Sequence, residues 1–283
     1  MNFEIITALI TPFLDNGKID IKSLFKIIKF QLQSGIDKFV LFGTTGEGNS
    51  ILLEEKIDVI KKIKKEFENN IYLMIGISKN NIEEATKEIK KLNNYNIDSF
   101  LILTPYYLTT NEQGVIEYFN SVANISKKPI YIYYVPKRTG QRVTINAFEI
   151  LKTHPNIEGI KYVLDDENEL KKLTSLKSEN FKIYLGNDEL MINGLRMNLN
   201  GVISVISNIS PYMLLNIIFQ KDYEKFEKIR KLIDILFFES NPIPIKYLMS
   251  LKGFCKLNYR SPLTLPSIDV INKINSVKEL YEN

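Results

Sequence analysis

Short apolar runs alternate with amphipathic helical patterns eight times between residues 3 and 206. That alternation restricts the fold more than any other feature of the chain. The runs are FEIITALI, DKFVLFG, IYLMIG, SFLILT, PIYIYYV, IEGIKY, FKIYLG and NGVISVI. Helical segments such as IDIKSLFKIIKFQLQS, LLEEKIDVIKKIKKEFEN and NEQGVIEYFNSVANIS lie between them. The runs are mostly apolar on both sides, as expected of parallel strands buried on both faces. Open doubly wound sheets usually have fewer strands, and no G-x-G-x-x-G opens a helix after the first run. The pattern predicts an α/β fold of the (β/α)8 TIM-barrel type over residues 1–208. Residues 209–283 read as helical throughout, with no Gly/Ser-rich or Pro-rich linker before them. They are expected to pack on the barrel as a C-terminal helical extension.

Composition removes several functions. Cys255 is the only cysteine and His154 the only histidine. An internal disulfide, a thiolate metal site and a His-rich metal centre are therefore out of reach. His154 stands before Pro155 and resembles a helix end, which makes a Ser-His-Asp hydrolase a poor reading. The net charge of +4 is spread along the chain. In KIDVIKKIKKEF the lysines are the wet face of a helix whose Ile57, Ile60 and Ile63 recur at helical spacing. Nucleic acid is not an expected partner, since no aromatic-basic interleaving occurs. No run is long and apolar enough to cross a bilayer, and no signal peptide is visible, so no membrane role and a cytoplasmic location are expected.

In a barrel of this kind the chemistry sits at the carboxyl ends of the strands. The sixth run, PNIEGIKY, ends there with a lysine. Strand alternation puts Ile157, Gly159 and Lys161 on the inner face and Glu158 and Ile160 on the other. A desolvated lysine favours its neutral form, and a neutral amine is a nucleophile toward carbonyls. Lys161 is thus either a Schiff-base lysine or a lysine snorkelling from a strand end.

The other strand ends decide between these. The second carries GTTGEG, Gly43 to Gly48, whose backbone N–H groups suit a carboxylate or phosphate; an ordinary turn with a Thr helix cap is the competing reading. The fifth carries YIYYVPKRTG, with Tyr131 and Tyr133 inward and Ile130, Ile132 and Tyr134 outward. An inward phenol either relays a proton or fills the barrel. Arg138 in the loop after it either forks a substrate carboxylate or lies on the surface. The fourth leads into TPYY, where Tyr106 and Tyr107 are aromatics of the kind enriched at interfaces. The seventh and eighth carry GND and GVISV. Together these residues suit a keto acid captured as an imine.

GTTGEG, TPYY, YYVPKRTG, GIK, GND, GVISV and NPIPIK, in this order and spacing, resemble the pyruvate-dependent class I aldolases, the family of N-acetylneuraminate lyase. The resemblance covers essentially the whole chain. It implies that Lys161 forms the Schiff base with pyruvate and that Tyr133 relays protons to and from it. It implies that Thr44 passes protons from Tyr133 toward Tyr107, which enters from a neighbouring subunit and is shielded by Tyr106. Thr45 would bind the pyruvate carboxylate and Arg138 the carboxylate of the second substrate. Gly186 and the backbone of Ile203 would line the pocket. No separate cofactor is implied, because the imine serves as the electron sink. A homo-oligomer, dimer or dimer of dimers, is implied by the shared Tyr107.

GTTGE together with Arg138 favours the member that condenses pyruvate with L-aspartate 4-semialdehyde toward lysine and diaminopimelate. The alternatives are a lyase acting on N-acetylneuraminate or a 2-keto-3-deoxy sugar acid, and a non-catalytic keto-acid binding protein. Departures from the family pattern are Tyr134, where Asn is usual, and Tyr162 to Asp166 after the lysine. Lysine-regulated members would use Asn80, Glu84 and Tyr106, which are present, but their two histidines fall at Leu53 and Lys56. The expectation is weak or absent inhibition by lysine, since Lys56 would repel its ammonium.

Overall fold

The computed structural model of the chain describes residues 3–68, 70–163 and 166–280. Eight strands close into a parallel barrel in sequence order. They are β1 (Glu4–Ala8), β2 (Lys38–Leu41), β3 (Tyr72–Ile77), β4 (Ser99–Leu103), β5 (Ile130–Tyr134), β6 (Ile157–Tyr162), β7 (Lys182–Leu185) and β8 (Gly201–Ser204). The ring closes where Glu4 to Thr7 pair with Gly201 to Ser204. Helices cover the outside, and their boundaries follow local capping chemistry. Asp20 caps Ile21–Gln33, Asn81 caps Ile82–Leu92, Asn111 caps Glu112–Ile125, and Thr144 caps Ile145–Leu151, each side chain accepting an amide of the first turn.

The barrel has two apolar layers. One cluster fills the space between strands and helices and continues into the C-terminal helices through Ile217, Leu232, Ile245 and Leu248. A separate inner cluster holds Ile6, Ala8, Val40, Met74, Leu101, Tyr131, Tyr133, Tyr184 and Ile203. The amino end of the barrel is closed by polar contacts. Tyr184 donates to Glu4 at 2.7 Å, Lys38 pairs with Glu4 at 2.7 Å, and Tyr72 donates to Ser99 at 2.7 Å. These contacts satisfy the buried Tyr184 hydroxyl and the half-buried Glu4 and Tyr72 groups at that end, and the carboxyl end is left as the open one.

One facing expectation fails. Ile157 lies in the outer cluster with Ile160, not on the face of Lys161. The cause is a register shift against β5: Ile130 pairs with Ile157, but Tyr131 pairs with Gly159. The extra residue, Glu158, is left over and accepts from the Tyr131 hydroxyl at 3.4 Å. Such a bulge re-aims the residues before it without moving those after it, so Lys161 remains inward and pairs in register with Tyr133.

The C-terminal helices are Pro211–Gln220, Tyr223–Leu236, Ile243–Leu251 and Ile268–Asn275. The segment around the third of these reaches the carboxyl end of the barrel, with consequences for the site. Among the described residues, no helix is long and apolar enough to cross a membrane.

Candidate active site

Lys161 is 6% exposed. Its Nζ lies 4.6 Å from the centroid of the Tyr133 ring. The snorkelling alternative would have carried this nitrogen into bulk water. The opposite edge of the same phenol, its hydroxyl, is 3.3 Å from Thr44 Oγ1, and either oxygen can donate. Three strand ends, those of β6, β5 and β2, thus converge on one point.

The loop after β2 gets its shape from glycine. It folds back over Phe42, which itself takes the left-handed conformation with φ of 59°. A Cβ on Gly48 would stand 1.7 Å from the Phe42 carbonyl oxygen, and one on Gly46 would stand 2.9 Å from the Phe42 nitrogen. Only glycine permits that approach. The Thr-cap reading of this loop is not realised: a short 3-10 turn at Gly48–Ser50 intervenes, and the next helix starts at Leu53. Thr45 instead points into the site, buried, where its hydroxyl accepts from Asn241 Nδ2 at 2.9 Å.

Glu47 supports the loop from below. Its carboxylate is buried and paired with the Lys246 ammonium, which is itself fully buried. The Arg260 backbone amide donates to the second oxygen of Glu47 at 3.0 Å. The Arg260 guanidinium then binds Ser50 O at 2.7 Å and both oxygens of Glu55. Asn241 and Lys246 belong to NPIPIK, so the C-terminal extension braces the GTTGEG loop directly.

A cavity of about 270 Å³ opens above Lys161. Thr45, Tyr133, Arg138, Gly186 and Asp188 border it, with Asn241 at its edge. A Cβ on Gly186 would lie 2.3 Å from Val163 Cγ2 and 2.6 Å from Lys161 Cε, so a larger residue there would crowd both Val163 and the lysine stem. Val205 borders the cavity just past the end of β8, and the Ile203 side chain is fully buried in the inner cluster below it. Arg138 is exposed at the rim and donates to the Asn241 carbonyl at 3.4 Å. Arg138 and Asn241 also border a second cavity of about 300 Å³, lined by Thr44, Tyr106, Arg260 and Leu263.

Two of the tyrosines after β4 part company. Tyr106 is half-buried against the inner cluster, whereas Tyr107 is 87% exposed and holds a φ of 69°. A bulky residue in the left-handed region costs about 1–3 kcal/mol, a strain found mostly at functional positions. Within one chain, Tyr107 does not join the Tyr133–Thr44 contact.

Of the unusual residues beside the nucleophile, Val163 borders the cavity, whereas Tyr134 and Tyr162 face away from it. Tyr134 and Tyr162 are fully buried outside the barrel, with ring centroids 5.9 Å apart. Tyr162 donates to the Asp166 carbonyl at 3.2 Å, and Tyr134 stacks edge-on with Phe148. Glu169 lies behind them, its carboxyl held above the usual range by burial, and Arg142 reaches it at 3.5 Å. Leu164 and Asp165 lie outside the described residues. His154 is on the amino side of β6, bonded to Asn124 at 3.0 Å, away from the site.

Sequence reasoning missed Asn241, Lys246 and Asp188. The signals were present in NPIPIK and GND. A lysine and an amide in an otherwise apolar helical start need buried partners, and an acid beside an invited ligand needs a reason.

The sequence pattern of the Dihydrodipicolinate synthetase family matches residues 2–278. The chain is 34% identical over 267 residues to 4-hydroxy-tetrahydrodipicolinate synthase of Leptospira biflexa, covering 92% of this chain and 90% of that one. Among solved structures, dihydrodipicolinate synthase from Aquifex aeolicus superposes with a TM-score of 0.92 at 29% identity, over 100% of this chain and 98% of that one. The chloride-inhibited dihydrodipicolinate synthase from Acinetobacter baumannii, solved in complex with pyruvate, gives 0.93 at 30% identity, over 100% and 99%.

Proposed function

The chain belongs to the Dihydrodipicolinate synthetase family, and we propose that it condenses pyruvate with L-aspartate 4-semialdehyde to 4-hydroxy-tetrahydrodipicolinate, on the path to lysine and diaminopimelate. The observation that carries this reading is the Lys161 amine held inside the barrel mouth, against the Tyr133 phenol and within reach of Thr44 through it.

Lys161 attacks the ketone of pyruvate, and water leaves as the imine forms. Thr45 and the amides of its glycine loop hold the pyruvate carboxylate. Tyr133, next to the nitrogen, takes and returns the protons, and Thr44 extends the path from its hydroxyl. Loss of a proton from the pyruvate methyl group gives an enamine, whose carbon attacks the aldehyde. The amino group of the second substrate then displaces Lys161 and closes the ring. The imine itself is the electron sink, so the reaction calls for no separate cofactor. Gly186 leaves the room that the substituted lysine stem needs.

Arg138 at the rim takes the carboxylate of the semialdehyde. Its contact with the Asn241 carbonyl aims it over the cavity. Tyr107 works in a second copy of the chain: exposed and strained here, it completes the proton path from Thr44 at a neighbour's cavity, which makes the working form at least a dimer.

Turnover of aspartate semialdehyde in the presence of pyruvate, followed by a coupled reductase assay, tests the reading. Arg138→Ala is expected to raise KM for the semialdehyde at least tenfold with KM for pyruvate little changed. An unchanged KM for the semialdehyde, or turnover of a sugar acid in its place, would overturn it.

A further inference from the structure

Asp188 follows β7 in the 3-10 turn Asp188–Leu190 and is 1% exposed. Its Oδ2 accepts the amides of Val205 at 2.8 Å and Ile206 at 2.9 Å. Its Oδ1 is buried and makes no hydrogen bond of good geometry within the chain, although the Ser204 hydroxyl is close enough to favour the anion. A buried acidic oxygen with nothing to bond is costly unless something arrives to pair with it. The cavity that Asp188 borders is the one above Lys161, and the lysine's charge acts on this carboxyl. The other charged or titratable groups bordering it are Lys137, Arg138, Glu189 and Tyr133. Burial holds the Asp188 carboxyl above its ordinary range, against the lowering pull of Ser204, the two amides and Lys161.

We propose that Asp188 is the counter-ion of the iminium that Lys161 forms with pyruvate, and supplies the proton that this step consumes. The proposal rests on the imine chemistry above. Its balance is complete. The amine nitrogen bonds to the keto carbon, and the carbon–oxygen bond breaks. The oxygen leaves as water, carrying one hydrogen from the amine and one from the Asp188 carboxyl. The remaining N–H cation then faces the Asp188 carboxylate. The proton that Asp188 gives up is balanced by the positive charge left on nitrogen, so the step adds no net charge to the buried site. The two amides on Oδ2 fix the carboxyl so that Oδ1 carries the exchanging proton. Giving its proton to the departing oxygen, Asp188 acts in this step as a general acid and is a catalytic residue of imine formation.

Asp188→Asn is the informative variant, because the amide oxygen keeps both backbone bonds while the NH2 replaces Oδ1. It is expected to fold as the parent does, to weaken pyruvate binding at least tenfold in borohydride trapping, and to slow imine formation, with the deficit shrinking as alkaline pH strips the proton from the parent's Asp188. In the parent chain, the infrared difference spectrum on saturation with pyruvate is expected to lose one protonated-carboxyl C=O band. Parent-like trapping by Asp188→Asn, or no loss of that band in the parent, would overturn the proposal. Failure of the parent chain itself to form an adduct at Lys161 would overturn the imine reading along with it.

Discussion

The Tyr133 hydroxyl stands 3.3 Å from the hydroxyl of Thr44, while the ring behind it faces the Lys161 nitrogen. A phenol so placed touches both the reacting nitrogen and the first step of a path away from it. Tyr133→Phe keeps the ring that fills the barrel and removes the proton carrier. Its kcat is expected to fall by about 10²- to 10⁴-fold, the usual worth of a positioned acid–base group. The thermal midpoint should stay close to the parent's. A kcat within a factor of a few of the parent would show that the protons travel by another route.

Asn241 connects the C-terminal extension to Thr45 by one buried hydrogen bond of 2.9 Å. Asn241→Ala frees the threonine hydroxyl to turn away from the pyruvate carboxylate. A neutral bond of this kind is worth about 1 kcal/mol, so KM for pyruvate is expected to rise about fivefold. KM for the semialdehyde should move less, since Arg138 contacts the Asn241 backbone and not its side chain. Steady-state kinetics with each substrate varied in turn reads the split.

Lys246 and Glu47 are a buried pair under the same loop. Burial pulls the Lys246 ammonium below its usual range, and the Glu47 carboxylate opposes that. Removing one member strands the other, at a cost of about 3–5 kcal/mol. Lys246→Met alone is therefore expected to be strongly destabilised in urea unfolding. Lys246→Met with Glu47→Leu should recover most of the loss, because no charge remains buried. Equal destabilisation of the single and double variants would mean that the pair acts through packing alone.

Much of this architecture is legible in the sequence, for physical reasons. Parallel strands covered on both sides must be apolar throughout, so the eight runs announce themselves, and Asp20, Asn81, Asn111 and Thr144 mark the starts of the helices they cap. The inward facing of Tyr133 and Lys161 follows from the two-residue period of a strand. That same period misplaces Ile157, because a bulge adds a residue and periodicity carries no sign of it. Asn241 and Lys246 lie some two hundred residues from the loop they brace. No local pattern links such distant groups; only the demand that a buried amide and ammonium find partners hints at them.

Lys56 is buried and donates to Glu88 at 2.7 Å and to the Gly76 carbonyl at 3.3 Å. Lys79 reaches Glu88 at 3.8 Å and Glu84 at 3.9 Å. The acids on this side of the helix Ile82–Leu92 thus already have lysine ammonium partners from the chain itself. A free lysine would meet cations where it needs acceptors. Millimolar L-lysine is expected to leave the initial rate unchanged in a steady-state assay. Half-inhibition below that range would contradict the expectation.

The central claim is that Lys161 is the residue that bonds to pyruvate. Borohydride reduction in the presence of pyruvate, followed by intact-mass and peptide mapping, tests it most directly. One reduced pyruvyl adduct per chain is predicted, on the peptide containing Lys161, and none on Lys161→Ala. An adduct on another lysine, or an equal adduct on Lys161→Ala, would contradict the account.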